Sequence, residues 1–170
     1  VVTPMAAPGA PTSVSGARGN TQVSLAWTAP AVNGGSGITD YTVQRSSDNG
    51  STWTTFADGV STVTSTTVTG LTNGTSYVFR VSATNQVGAG SWSTASPAVT
   101  PYTTPDAPTS VTGTPGDGQI SLTWTAPASN GGSALTDYVI EYSTNSGTTW
   151  ITVADSVSTA TSGTVSGLTN

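Results

Sequence analysis

The groups in this sequence best suited to chemistry are a few aromatic rings and a set of carboxylates. Trp53, Trp92, Trp150 and Tyr142 stand at the ends of β-patterned runs or beside turns. A large amphipathic ring at such a place offers a flat apolar face with a polar edge. Such faces can stack on sugars, which makes Trp53, Trp92 and Trp150 the candidate ligand-stacking residues. The acids are Asp40, Asp48, Asp58, Asp106, Asp117, Asp137, Glu141 and Asp155. Catalysis of acyl or phosphoryl transfer needs a nucleophile and a base tuned near the working pH. The chain has no His, Lys or Cys, so carboxylates alone remain. The seven Asp fall near turns or strand ends, where Asp bonds local backbone and tolerates turn geometry. The sequence therefore nominates no catalytic, cofactor-binding or metal-ligating residue. Calcium at a domain junction is the alternative use of these acids, but no D-x-D-x-D-G run occurs. The segment Arg18-Gly19-Asn20 is not a cell-attachment tripeptide. Asn49-Gly50-Ser51 and Asn73-Gly74-Thr75 fit the N-glycosylation pattern.

Composition narrows the partners. The 170 residues include 20 Gly and 10 Pro, only 6% are charged, and the net charge is −5. A surface built from hydroxyls and amides, with Arg18, Arg45 and Arg80 as its cations, cannot track a phosphate backbone, so no nucleic-acid partner is expected. No apolar run reaches the ~18–20 residues of a membrane helix, so no membrane insertion is expected in this segment. Without cysteine there are no disulfides, and cysteine usage says nothing about the redox compartment.

The elements that must position these residues recur. A shift of 97 residues aligns "PGAPTSVSG" (8–16) with "PDAPTSVTG" (105–113) and continues without a gap to the end, with 41 of 66 paired positions identical. Trp27 meets Trp124, Tyr41 meets Tyr138, Trp53 meets Trp150, and Leu71 meets Leu168. The same ruler places "VVTP" (1–4) on "AVTP" (98–101). The expected organisation is thus a tail of a preceding repeat or linker at 1–7, a complete domain at 8–101, a Pro-rich linker at 102–107, and a partial domain at 108–170.

Within the complete copy the hydrophobic period is two. "TQVSLAW" sets Val23, Leu25 and Trp27 on one face, "DYTVQ" does so with Tyr41 and Val43, and "SYVFRVSA" with Tyr77, Phe79, Val81 and Ala83. Turn clusters such as "NGGSG", "DNGS", "LTNG" and "VGAG" separate the runs. About seven short strands in ~97 residues predict an all-β, immunoglobulin-like antiparallel sandwich. The copy resembles a fibronectin type III domain in Pro11, Trp27, Tyr41, and Leu71 six residues before Tyr77. That resemblance implies that Leu71 and Tyr77 form the corner between strands E and F, the Tyr hydroxyl bonding back to upstream backbone. The second copy keeps Pro108, Trp124, Tyr138 and Leu168 but lacks the residues of strands F and G. The expected structural core is Trp27, Tyr41, Leu71, Tyr77 and Phe79, with Trp124, Tyr138 and Leu168 in the second copy.

The function expected from this reading is that of a structural spacer or adhesion repeat in a larger extracellular or cell-surface protein. Its partners would be further repeats of the same polypeptide, other protein subunits or glycans, with no cofactor and no enzymatic activity. The alternatives are a carbohydrate-binding accessory module of a secreted glycan-degrading enzyme, and a decorating domain of a filament, sheath or virus-like particle.

Overall fold

The computed structural model describes residues 4–170. The expectation for the first three residues lies outside them. The chain divides into two compact units, 1–103 and 104–170.

The first unit is an all-β immunoglobulin-like sandwich of seven strands: β1 (Thr12–Gly19), β2 (Gln22–Thr28), β3 (Asp40–Ser46), β4 (Thr54–Phe56), β5 (Ser65–Val68), β6 (Val78–Thr84) and β7 (Ala89–Trp92). Two antiparallel sheets face each other, ordered β1-β2-β5 and β4-β3-β6-β7. Strand β2 shows why: its burial alternates strictly, with Val23, Leu25 and Trp27 inside and the residues between them exposed. Strand β3 sends Tyr41 and Val43 to meet them, and β6 adds Phe79, Val81 and Ala83, each fully buried. Trp27 packs edge-on against Tyr41, with ring centroids 5.4 Å apart, the arrangement aromatic quadrupoles prefer.

The corner before β6 is fixed by one side chain. Tyr77 is buried, and its hydroxyl accepts a bond of 3.1 Å from the Thr72 N–H, five residues upstream. Leu71, also buried, is held by its N–H to Thr21 O at 2.9 Å.

The segment before β1 belongs to the first unit from Ala6 onward. Ala6 N–H donates to Gly34 O and Gly9 N–H to Val32 O, both at 2.8 Å. Gly34 has a φ of +72°, and a Cβ there would lie 1.9 Å from Ala6 O. Only glycine therefore lets the two backbones approach this closely.

The second unit holds a three-stranded sheet, β12-β9-β8, from β8 (Thr109–Gly116), β9 (Gln119–Thr125) and β12 (Ser162–Ser166), and a short ribbon of β10 (Glu141–Tyr142) with β11 (Ile151–Thr152). Its pairings repeat those of the first unit 97 residues on: Gly113↔Leu122 matches Gly16↔Leu25, and Val165↔Ile120 matches Val68↔Val23. Packing does not repeat. The expectation that Trp124 is buried like Trp27 is corrected here: Trp124, Tyr138 and Leu168 are each only half-buried. The physical reason is that nothing in this unit takes the place of β6 and β7. Val111 is 61% exposed where its counterpart Val14 is 7% exposed, and β10 has two residues where β3 has seven.

Candidate functional site

The outward face of the β4-β3-β6-β7 sheet carries the first unit's most developed side-chain cluster. On β6 the outward residue Arg80 lies opposite Gln44 of β3. Its Nε and one terminal nitrogen both donate to Gln44 Oε1, at 2.9 and 2.7 Å. Gln44 in turn donates through Nε2 to Thr55 Oγ1 at 3.1 Å. The guanidinium sits over Trp53, 4.2 Å from the ring centroid, and over Trp92 at 4.7 Å. Trp53 and Trp92, candidates for sugar stacking, are thus joined to one arginine and are half-buried. A guanidinium attracted to two ring quadrupoles gains about 0.5–1 kcal/mol per ring at such exposure.

Trp53 is also backed by Gly50, where a Cβ would come within 3.3 Å of Cζ2. Trp150, the third candidate, has the same backing from Gly147 at 3.5 Å. It carries no cation among the cation–π pairs of the described residues and is 59% exposed.

Sequence reasoning missed a second device on the same sheet. After Trp92 the chain leaves regular strand geometry, and two serine hydroxyls replace backbone acceptors. Val81 N–H donates to Ser93 Oγ and Phe79 N–H to Ser96 Oγ, both at 3.0 Å. The N–H groups of Ser93 and Ser96 return bonds to Val81 O and Phe79 O at 2.8 Å. Each hydroxyl donates onward, to Thr94 O and Pro97 O, so the buried serines are satisfied in both roles. The signal available in the sequence was the spacing Trp92-Ser93-x-x-Ser96 across from an outward arginine.

Asn85 was missed as well. It is 4% exposed, donates from Nδ2 to Ala6 O at 2.7 Å and Asn33 O at 2.8 Å, and accepts from Val87 N–H at 2.9 Å. One side chain thereby ties together three segments of one end of the sandwich.

The expected core residues occupy the inner faces. Trp27, Tyr41, Leu71, Tyr77 and Phe79 are buried in the first unit. In the second, Trp124 meets Tyr138 edge-on at 5.3 Å, and Leu168 N–H donates to Gly118 O at 2.9 Å. The indole Nε1 of both Trp27 and Trp124 is buried without a hydrogen-bond partner.

The carboxylates act locally. Asp48 accepts from Ser46 Oγ at 2.6 Å, Thr52 Oγ1 at 2.6 Å and Thr52 N–H at 2.8 Å, and these bonds lower its pKa to about 2. Asn145 fills the same seat in the second unit, accepting from Ser143 Oγ and Thr149 N–H at 2.9 Å. The turn therefore needs an oxygen acceptor rather than a charge. Asp58 is shifted upward, first by desolvation and then by the charge of Asp40. Asp40 and Asp137 each accept a loop N–H, from Ser61 and Ser158. Among the described residues no three His, Cys, Asp or Glu side chains are grouped to hold a metal. Of the two glycosylation triplets, Asn73 is engaged by Thr21 N–H and by Asn20 at 2.8 Å each, whereas Asn49 is exposed.

Comparison with known proteins agrees with this geometry. The fibronectin type III domain model matches residues 7–99. Titin from Drosophila melanogaster is 31% identical over 86% of this chain, and chitinase A1 from Niallia circulans is 37% identical over 86%. The chain spans 1% of the first and 19% of the second. A crystal structure of titin domains superposes with a TM-score of 0.53 at 34% identity, over 56% of this chain and 32% of that one. The chicken CNTN1 FN1–FN3 domains share the fold with a TM-score of 0.53 at 22% identity, over 94% of this chain and 56% of theirs. The inward tryptophan–tyrosine pair, the tyrosine that closes the corner before β6, and the family match over residues 7–99 together place this chain in the fibronectin type III family.

Proposed function

We propose that the chain is a stretch of a tandem array of fibronectin type III domains, residues 8–101 forming one copy and 108–170 part of the next, and that it serves as a structural spacer or adhesion repeat of an extracellular or surface-exposed protein. The observation that carries this reading is the common register: β8, β9 and β12 pair residue for residue as β1, β2 and β5 do, 97 positions earlier. The prolines of the linker 102–107 and its flanks, Pro101, Pro105 and Pro108, favour extended backbone over free coil. Similarity to titin and to myomesin-2 from Homo sapiens, 28% identical over 77% of this chain, supports a structural role.

Similarity to chitinase A1 favours the second reading, an accessory module for glycans, with Trp53, Trp92 and Trp150 as its platform. Against it, Arg80 already stacks on Trp53 and Trp92. Tryptophan fluorescence during titration with chitin oligosaccharides separates the two. A spacer leaves the emission unchanged up to millimolar sugar, and a saturable shift lost in Trp53→Ala would replace the spacer reading with the glycan one.

A further inference from the structure

The second unit holds a cation site with its cation missing. In the first unit Arg80 faces Gln44 across the β3–β6 register, bonds it twice through Oε1, and stacks on Trp53. Glu141 stands 97 residues after Gln44, and Thr152, its partner in the ribbon, donates from Oγ1 to Glu141 Oε1 at 3.1 Å, as Thr55 is bonded to Gln44. Trp150 rests against Gly147 as Trp53 rests against Gly50, while its other side is open to solvent. On the inner face of the same strand lies a groove of about 260 Å³ lined by Leu122, Trp124, Tyr138 and Ile140.

We propose that Glu141 and Trp150 form a receptor for an arginine carried on an added β-strand. That strand pairs with residues 138–142 and turns an apolar side chain into the groove on each side of the arginine. The occupant's chemistry follows from three features. Glu141 puts a full negative charge where the first unit has a neutral amide, so a guanidinium there gains an ion pair in addition to its hydrogen bonds. The free indole face of Trp150 attracts the same cation, and a planar fork satisfies carboxylate and ring together where an ammonium cannot. The groove lies on the opposite face of the strand, so the occupant must alternate apolar, arginine, apolar, the pattern of Phe79-Arg80-Val81.

The inference rests on the tandem-copy reading, and the test separates the two. The full chain is extended past Asn170 by the sequence of residues 74–101, and its thermal unfolding is compared with that of a version in which the appended arginine is glutamine. Trp150→Ala is made in both. The arginine-bearing extension should give a second cooperative transition. Glutamine should lower its midpoint by roughly 4 °C or more without moving the first unit's transition. Trp150→Ala should lower it too, with less than additive effect in the double variant. A second transition indifferent to the arginine would overturn the receptor and leave the tandem reading standing. No second transition at all would overturn both.

Discussion

A single tryptophan can serve in two distinct ways in this fold, and parity decides which. Trp27 points inward from β2 and is 6% exposed, whereas Trp92 lies on the outer face, half-buried beneath a guanidinium. Trp27→Ala should cost about 3–5 kcal/mol, the range for deleting a buried aromatic. Trp92→Ala should cost about 1 kcal/mol, the scale of one exposed cation–π contact. Denaturant unfolding of each variant measures the difference, and equal losses would contradict the assignment of faces. Asp48 gives a second residue-scale expectation. Its folded pKa is depressed to about 2, so its hydrogen bonds stabilise the first unit fully above the unfolded carboxylate value. That contribution is lost as the pH falls from about 4 through 2. Asp48→Asn, the residue already used at Asn145, should flatten the acid limb of the stability profile without disturbing the turn. An unchanged acid limb would mean that this loop carries none of the pH dependence.

At the scale of elements, the sequence was legible where neighbours in space are neighbours in parity. Alternation along β2 and β6 marks Val23, Leu25, Trp27, Phe79 and Val81, and all five are buried. It could not mark the outer-face cluster, because Trp53, Arg80 and Trp92 come from three separate segments and each looks like an ordinary surface residue. The serines were hidden for a different reason. A run rich in Ser and Thr gives no clue to which hydroxyl is buried, and Ser93 and Ser96 are singled out only by the path of the chain after β7. Their role makes a prediction about the element they hold. Ser93→Ala leaves the buried Val81 N–H without an acceptor and should cost about 1–3 kcal/mol. The loss should appear locally in hydrogen exchange, with the Val81 amide accelerated more than the Leu25 amide in the facing sheet. Exchange rising equally across both sheets would show that the strap contributes only to global stability.

At the scale of the whole molecule, the two units share a sequence pattern but not a core. The half-exposure of Trp124 and Tyr138 was not legible in residues 105–170, because it depends on what covers them, and that information lies in strands of the β6 and β7 kind. In the first unit those strands contribute Phe79, Val81 and Ala83, all fully buried, whereas the second unit buries only Ile140 and Val165 among its large hydrophobic residues. A large side chain brought fully out of water is worth about 1.5–3 kcal/mol, and a whole domain is held together by only about 5–15 kcal/mol. A three-stranded sheet with one face open therefore lacks the stabilisation that makes unfolding cooperative. Calorimetry of the 170-residue chain should accordingly show one cooperative transition. Its enthalpy should be about 70 kcal/mol near 60 °C, the value for some 100 residues, and well short of the ~120 kcal/mol that cooperative melting of the full length would give. Trp27→Ala should lower the midpoint of that transition, and Trp124→Ala should leave it in place, because the indole of the second unit lies outside the cooperative core. A second peak abolished by Trp124→Ala would show that residues 104–170 fold as a stable unit without the strands that cover the equivalent face in the first.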